Sequence, residues 1–306
     1  LLAGGVCSGC SPILAADEMA YQINNSEAKF FVTLDAIFAK VLPKILPQLK
    51  ELQTIITTNI SDYMGLNPIL KLIGKKLGKI PYGKVHKLAD KKVIDFKKVL
   101  KSKINLKTVR INPGTDLALI QYTGGTTGWP KGTELTHSNI ISNLLQIEQW
   151  LNVGMGGKTS LSAFPLFHLA GLAFCHITLY LSNSQVLIAN PRDTDHIIKE
   201  MISKKPNLIA NVPTLYLMIM NNKKVKKIPE AVLNHVEVYI SGAAPFPAEA
   251  IKSFEKKMHA ENKVLEVYGM TETSPVITMN PFKGEKKIGT VGLAVASTEI
   301  KLVDLE

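Results

Sequence analysis

The sequence predicts an α/β fold built on a mostly parallel sheet, and three observations predict it. Short apolar runs rich in β-branched and aromatic residues recur along the 306 residues. Segments with helical periodicity lie between most of these runs, as is typical of parallel strands joined by helices. Polar loops containing glycine or proline follow several of the runs, where the carboxyl ends of parallel strands would lie.

Residues 1–62 show this alternation first, and we interpret them as a partial α/β lobe. The pattern predicts a helix over 17–28, a strand over 29–34, a helix over 36–42 capped by Asp35, and a strand over 53–58. Pro43 and Pro47 interrupt the chain before the second strand.

Residues 63–111 differ in charge, and we interpret them as a basic insertion. From Met64 to Arg110 there are 14 lysines and arginines against two acidic residues, a balance of +12, whereas the whole chain carries +11. The remainder therefore sums to −1, and the high charge is local. The segment fits a solvated insertion or a contact with an anionic membrane surface. Few aromatic residues accompany the lysines, so we expect no nucleic-acid partner.

A helical pattern lies inside this basic segment. Apolar residues at helical spacing form one face, and lysines form another, with Lys76 breaking into the apolar side. The apolar positions are Ile69, Leu72, Ile73, Leu77 and Ile80.

Residues 112–284 return to alternation and carry the predicted core. Strand-like runs occur at 117–122, 159–164, 185–189, 208–212, 236–240 and 264–268. Thr136 or Ser138 is a suitable N-cap for one helix, and Pro247 begins another over 248–258. The last part, 285–306, ends in an alternating run at 297–303 that predicts a strand.

Composition indicates a soluble globular protein, with 46% hydrophobic and 20% charged residues. Cys7, Cys10 and Cys175 are too few and too isolated to indicate a zinc or redox site, and they suggest a reducing compartment. The window from Lys158 to Arg192 is almost free of charge, but proline, histidine and glycine interrupt it. We therefore expect a buried helix and strand there, and, with no signal peptide visible, a cytoplasmic protein.

The loop after the run at 117–122 has the composition of a phosphate-binding loop. Residues 121–132 read QYTGGTTGWPKG. Glycines let successive backbone N–H groups turn toward one point, threonine hydroxyls add donors, and Lys131 adds a movable positive charge. It is not a Walker A loop, because no Gly-Lys-Ser/Thr follows at the required spacing. The candidate residues are Thr123, Gly124, Gly125, Thr126, Thr127, Gly128 and Lys131.

Three further loops follow predicted strands: FPLFH at 164–168, SGAAP at 241–245 and YGMTET at 268–273. Because ligands bind beyond the carboxyl ends of strands in open α/β sheets, we expect all four loops to converge on one crevice. Glu272 supplies a hard carboxylate suited to Mg²⁺ beside phosphates. Tyr268 can present a flat ring to a purine or to an acid, and His168 is either a core or a substrate-lining residue.

These loops, with VPT at 212–214 and NP at 280–281, resemble those of the adenylate-forming enzymes. That superfamily includes acyl-CoA synthetases, luciferases and peptide-synthetase adenylation domains, and the resemblance is strongest to bacterial long-chain fatty acid–CoA ligases. It covers most of the chain. The resemblance implies two α/β sheet subdomains of a large N-terminal domain, with residues 112–284 as the ATP- and acyl-binding core and the start of a small β-barrel subdomain within 285–306.

The resemblance also implies roles for residues. The glycine-threonine loop would hold the ATP phosphates, Glu272 and Thr126 would serve Mg²⁺, and His168 would lie by the path of the acyl group and the thiol. The turn of Gly242, Ala243 and Ala244 would border adenine, and Glu266, Tyr268, Gly269, Met270 and Thr271 would complete the nucleotide site. The candidate catalytic residues are then Lys131, His168, Thr271 and Glu272.

The implied activity is the ATP-dependent conversion of a fatty acid to an acyl-adenylate and, with coenzyme A, to a thioester. The family's ribose-binding aspartate, hinge and catalytic lysine would come beyond Glu306, so we expect a truncated N-terminal domain with little turnover alone. Two alternatives stay open. The acid could be an aryl, short-chain or amino acid, or the chain could be a non-catalytic nucleotide- and acyl-binding module.

Overall fold

The computed structural model describes residues 1–103, 109–124 and 128–304. The chain forms two compact units. Unit 1 comprises Leu1–Ile111 and Tyr122–Gly132, and unit 2 comprises Asn112–Gln121 and Thr133–Glu306.

Unit 1 contains a three-stranded parallel sheet, with its strands in the order β2 (Phe30–Leu34), β3 (Thr54–Thr58), β4 (Lys92–Asp95). Three helices pack on it, α1 (Ala16–Asn25), α2 (Asp35–Lys40) and α3 (Leu42–Ile45), through a core that includes Met19, Phe38 and Ile55. In chain order the elements are β1 (Cys7–Ser8), α1 (Ala16–Asn25), β2 (Phe30–Leu34), α2 (Asp35–Lys40), α3 (Leu42–Ile45), β3 (Thr54–Thr58), α4 (Pro68–Lys76), β4 (Lys92–Asp95) and α5 (Phe96–Leu100).

The predicted elements of residues 1–62 are confirmed, but the predicted cap at Asp35 is wrong. Asp35 is the first residue of α2, and Leu34 occupies the N-cap position without a side-chain hydrogen bond. The Asp35 carboxylate instead accepts hydrogen bonds from the Asn59 amide at 2.8 and 3.0 Å. A partner distant in the sequence therefore takes the side chain that local capping would have used.

The basic segment joins the fold at its C-terminal side. β4 lies within it and pairs with β3, with Lys92 opposite Thr54. Asp95 then caps α5, since its carboxylate accepts from the backbone N–H of Lys97 at 2.9 Å. The lysines of residues 91–101 therefore lie in or next to the edge strand β4 and the short helix α5.

The strands β5 (Leu117–Thr123) and β6 (Lys131–Thr136) are neighbours in a further sheet. The remaining elements belong to unit 2. They are α6 (His137–Leu151), β7 (Thr159–Ser162), α7 (Leu169–Tyr180), β8 (Ser184–Leu187), α8 (Thr194–Lys204), β9 (Leu208–Asn211), α9 (Pro213–Asn221), α10 (Glu230–His235), β10 (Val238–Ser241), α11 (Ala248–Met258), β11 (Val264–Gly269), β12 (Val276–Met279) and β13 (Leu293–Ala294).

The seven-stranded sheet of unit 2 has the order β13–β12–β11–β10–β9–β7–β8. The pairs from β8 through β11 are parallel, and β12 and β13 add antiparallel strands at one edge. Both faces are covered, because Ile209 packs in one hydrophobic cluster while Leu208 and Ala210 pack in another. This double burial explains the apolar runs in the sequence.

The sequence predictions for this half are largely confirmed. All the predicted strands from 117–122 to 264–268 form with small shifts at their ends, and Thr136 is the N-cap of α6, accepting from the Asn139 N–H at 3.2 Å. The strand predicted at 297–303 is wrong, since no strand forms there. An alternating run becomes a strand only where a neighbouring strand completes its hydrogen bonds, and β13 ends at Ala294.

The uncharged window at 158–192 forms α7 and β8, as predicted, with Phe174 and Ile177 in the core. Among the described residues, no helix has the length and apolar character needed to cross a membrane.

Half-buried His176 on α7 makes stability depend on pH. Burial disfavours the charged imidazolium and lowers the pKa of His176 below 6.5. The unfolded chain therefore binds the proton at higher pH, so this stability is present above pH 6.5 and is lost as the pH falls through the lower folded pKa. We therefore expect the free energy of unfolding, measured in urea, to fall less for His176→Gln than for the wild type when the pH is lowered from about 7 to about 5.5.

The exposed His235 on α10 offers a control for this measurement, as His235→Gln. Equal losses of unfolding free energy in the wild type and in His176→Gln would contradict the assignment.

Gly269 is the last residue of β11, where the turn to β12 begins. A Cβ at this position would overlap the carbonyl oxygen of Pro275 and lie 2.7 Å from its carbonyl carbon, and both are backbone atoms with little freedom to move. We expect Gly269→Ala to lower the free energy of unfolding by about 2–4 kcal/mol. Gly5→Ala is the control, because a Cβ there meets nothing within 4 Å. The idea fails if both variants unfold at the same urea concentration.

Candidate functional site

Three loops that follow parallel strands meet at one cavity of unit 2, with a volume of about 110 Å³. They are the loops after β7, β10 and β11, and their strands end at the same edge of the sheet. The predicted site residues that line the cavity are His168, Gly242, Ala243, Gly269, Met270 and Thr271. This volume holds roughly seven to eleven water molecules, at about 10–15 Å³ each.

The walls of the cavity are apolar, and the sequence analysis did not identify them. They come from α6, α7 and the middle of the sheet. The usable signal was the uncharged stretch at 158–192, which we assigned to the core without distinguishing packed from cavity-lining positions. The wall residues include Ile147, Leu151, Ala173, Phe174, Ile177 and Ala210.

His168 lies at the exposed rim of the cavity as the N-cap of α7. Its Nδ1 accepts a hydrogen bond from the Ala170 N–H at 3.2 Å, and desolvation by its surroundings lowers its pKa. The ring is therefore neutral near pH 7 and carries its proton on Nε2. Gln121 Nε2 donates to the Phe167 carbonyl at 2.8 Å, which fixes the preceding residue of this loop.

The small-residue turn after β10 passes close to β11. A Cβ at Gly242 would lie 3.2 Å from the Val267 carbonyl oxygen, tighter than ordinary contact. Ala243 has φ of 65°, a left-handed conformation that costs an alanine on the order of 1–2 kcal/mol. Strain of this kind is typical of functional sites. Ala244 is exposed and does not line the cavity.

In the turn at 269–275, Thr273 forms hydrogen bonds within the turn, whereas the side chains of Thr271 and Glu272 are available to a ligand. Thr273 Oγ1 can donate its one proton to the Pro275 carbonyl at 2.6 Å or to the Met270 carbonyl at 2.9 Å, and it accepts from the Met270 N–H at 3.1 Å. Thr271 faces the cavity, whereas Glu272 is exposed. Within the described part of the chain, neither side chain has a hydrogen-bond or ion-pair partner.

Glu266 and Tyr268 do not line this cavity. Glu266 is buried, its Oε2 accepts from the Gly289 N–H at 2.9 Å, and burial raises its pKa. Its carboxylate thus holds the chain near Gly289 in the structure. Tyr268 is half-exposed and borders a separate polar depression beside the start of α6.

The described residues of the glycine-threonine loop belong to unit 1. Gly125, Thr126 and Thr127 lie outside the described residues. A Cβ added at Gly124 or Gly128 would meet nothing within 4 Å, so packing of this chain does not require glycine there. Open space over a glycine backbone suits a ligand that approaches closely. Lys131 is exposed and has no ion pair with any described residue.

An aromatic stack anchors this loop to α1. The Tyr21 and Trp129 rings stack with centroids 4.8 Å apart and planes 28° apart. Tyr122, where the loop begins, donates its hydroxyl to Asn25 Oδ1 at 2.7 Å. Sequence analysis missed both contacts, since nothing in the loop pairs it with residues so far upstream.

The residues present fit a magnesium ion held mainly by a substrate. Among the described residues, no three histidine, cysteine, aspartate or glutamate side chains come close enough to form a metal site of their own. Mg²⁺ typically binds one or two carboxylates together with phosphate oxygens and water. A single unpaired carboxylate, Glu272, matches that mode.

The sequence matches the family of AMP-binding enzymes over residues 1–306. A long-chain-fatty-acid–CoA ligase of Bacillus subtilis (strain 168) is 31% identical over 316 residues, which cover 100% of this chain and 53% of that protein. The chain thus spans about half the length of the curated relatives it matches.

Solved structures share the fold. ATP-bound MatB from Rhodopseudomonas palustris aligns with a TM-score of 0.69 at 25% identity, over 96% of this chain and 50% of that one. A long-chain-fatty-acid-CoA ligase from Archaeoglobus fulgidus aligns with a TM-score of 0.73 at 22% identity, over 98% and 54%. The match over the full length, supported by these folds, places the chain in the family of AMP-binding enzymes.

Proposed function

We propose that this chain is the nucleotide- and acid-binding part of an ATP-dependent ligase that joins a long-chain fatty acid to coenzyme A. The observation that carries the proposal is the apolar cavity of unit 2, whose rim is formed by His168, Gly242, Ala243 and Thr271. The name of the Bacillus subtilis relative supports a fatty acid as the substrate.

The proposed reaction has two steps. The fatty-acid carboxylate attacks the α-phosphorus of ATP, and the bond to the bridging oxygen breaks to release pyrophosphate. The thiol of coenzyme A then attacks the carbonyl carbon of the acyl-adenylate, loses its proton, and AMP leaves with the bonding electrons. Negative charge builds up on the phosphoryl oxygens in the first step, so fixed donors there lower the barrier most.

We assign the phosphates to the glycine-threonine loop. Thr123 can donate its hydroxyl, Gly124 and Gly128 leave the backbone open, and Lys131 is a cation without a protein partner in the described residues. The proposal extends to Gly125, Thr126 and Thr127. Glu272 would hold Mg²⁺, which when bound neutralises phosphate charge.

We assign the acid to the cavity. Apolar walls stabilise an alkyl chain by burying it, at about 25 cal/mol per Å². A neutral His168 with its proton on Nε2 can donate a hydrogen bond at the rim without placing a positive charge beside the walls. We further assign the turn of Gly242 and Ala243 to adenine, with Tyr268 and Met270 in the same nucleotide site.

A second candidate substrate is a compact acid, aryl or short-chain. The cavity of about 110 Å³ favours it, because this volume suits one ring or the first part of an alkyl chain. Pyrophosphate release with a panel of acids of increasing length separates the two candidates.

We expect Glu272→Gln to reduce ATP-dependent pyrophosphate release at least about 100-fold in the natural protein that carries this chain. The amide has nearly the shape of the carboxylate but lacks its charge, so the site loses the negative charge of a metal ligand without a steric change. Glu261→Gln is the control, because Glu261 is an exposed carboxylate between α11 and β11. A rate within about twofold of wild type would refute the role.

Binding by the 306-residue chain alone is a separate test. Calorimetric titration with ATP and Mg²⁺ should show saturable binding that Lys131→Ala weakens about tenfold, as expected for loss of one phosphate contact. Binding by this chain without pyrophosphate release would support the alternative of a nucleotide-binding module.

Filling the cavity should change the choice of acid. Ala173→Phe inserts a ring into the space between α7 and the sheet, so we expect rates with long acids to fall at least about tenfold more than rates with acetate. Ala189→Phe, at an exposed position outside the cavity, is the matched control. Equal effects on short and long acids would show that the cavity does not hold the acyl chain.

A further inference from the structure

The helix α4 is specified by its own sequence at both ends. Asn67 Oδ1 accepts from the Leu70 N–H at 2.8 Å, and Pro68 occupies the first turn. At the other end Gly78 has φ of 67°, and the N–H of Lys79 bonds to the Gly74 carbonyl at 2.9 Å, which is a Schellman motif. Such a helix is a defined element, although the surrounding segment carries strong positive charge.

The apolar residues of α4 face away from unit 1. The helix rests on Ile80 through its glycine side, where a Cβ at Gly74 would lie 2.6 Å from Ile80 Cδ1. At about 100° per residue, Ile69, Leu72 and Ile73 fall within about 100° of arc roughly opposite Gly74. Their exposed fractions are 69%, 61% and 45%, and Leu77 on the flank is 65% exposed.

Positive charge accompanies this apolar surface. Between residues 64 and 89 there are six lysines and no acidic residue. Lys75 borders one side of the apolar arc, Lys76 lies inside it, and Lys71 lies nearer the glycine side. The surface thus combines exposed leucine and isoleucine side chains with unbalanced positive charge.

The position of Lys76 discriminates between possible occupants of the surface. A protein covering the arc would bury an ammonium group at its centre, and lysine is depleted from the cores of protein interfaces. A second copy of this chain would add repulsion between like charges. At a lipid surface, the same side chain can extend to the headgroups while its stem lies among the apolar residues.

We propose that α4, residues 68–76, lies in the surface of an anionic membrane, with Ile69, Leu72 and Ile73 among the acyl chains and Lys75 and Lys76 at the headgroups. The apolar residues add burial, and each lysine near the surface adds attraction to acidic lipids. The inference concerns a surface of unit 1 and does not depend on the proposed reaction.

Co-sedimentation with vesicles tests it on the 306-residue chain. We expect binding to vesicles of phosphatidylcholine with about 30% phosphatidylglycerol, little binding to phosphatidylcholine alone, and weakening by added salt. Leu72→Ser and the double variant Lys75→Glu/Lys76→Glu should each reduce the partition coefficient on the order of tenfold.

Matched variants separate this surface from general effects. Lys75 and Lys76 lie in the last turn of α4, and Lys256 and Lys257 lie in the last turn of α11, so Lys256→Glu/Lys257→Glu changes the net charge and the helix end in the same way. Leu179→Ser on α7 replaces a leucine that is 64% exposed, close to the 61% of Leu72. Circular dichroism verifies that each variant is folded.

Three results would overturn the proposal. One is no binding to anionic vesicles. Another is an equal loss in the α4 variants and their controls. The third is a different partner for α4: Leu72→Ser dissociating a dimer in sedimentation equilibrium, or duplex DNA displacing the chain from vesicles.

Discussion

The parallel pairing of β7, β9, β10 and β11 is the constraint on which the rest of unit 2 depends. Ile209 lies opposite Tyr239, and Tyr239 lies opposite Val264, so the strands run together and end at one edge. Loops that are distant in the sequence therefore meet at that edge. In the observed order only β9 separates β7 from β10, so the loop that carries His168 lies two strands from the turn after β10.

Burial supplies both the stability of this sheet and the chemical character of the cavity. Residues that alternate along β9 pack into two clusters, and the cavity lies within one of them. His168 lines the same cavity as buried Phe174, and desolvation lowers the pKa of His168 and favours its neutral ring. Left-handed Ala243 shows that the rim holds a conformation the surrounding packing must stabilise.

The two units differ in how far local sequence accounts for them. In α4, capping residues and a terminal glycine define the helix, and its apolar face needs no contact within the chain. In the cavity, the loops were recognisable from the sequence because runs that combine glycine with threonine, histidine or glutamate directly follow predicted strands. Its walls were not, because leucine and alanine have the same pattern in a filled core as beside a void.

The sequence by itself determined the α/β class, the positions of most strands, the Thr136 cap, the start of α11 and the loops that carry polar chemistry. These features depend on residues within one or two turns of each other. Tertiary structure decided that Asp35 accepts a hydrogen bond from Asn59 and that Glu266 accepts one from Gly289. It also decided that residues 297–303 form no strand. A side chain's partner and a strand's neighbour are set by residues distant in the sequence, whose approach periodicity and capping do not encode.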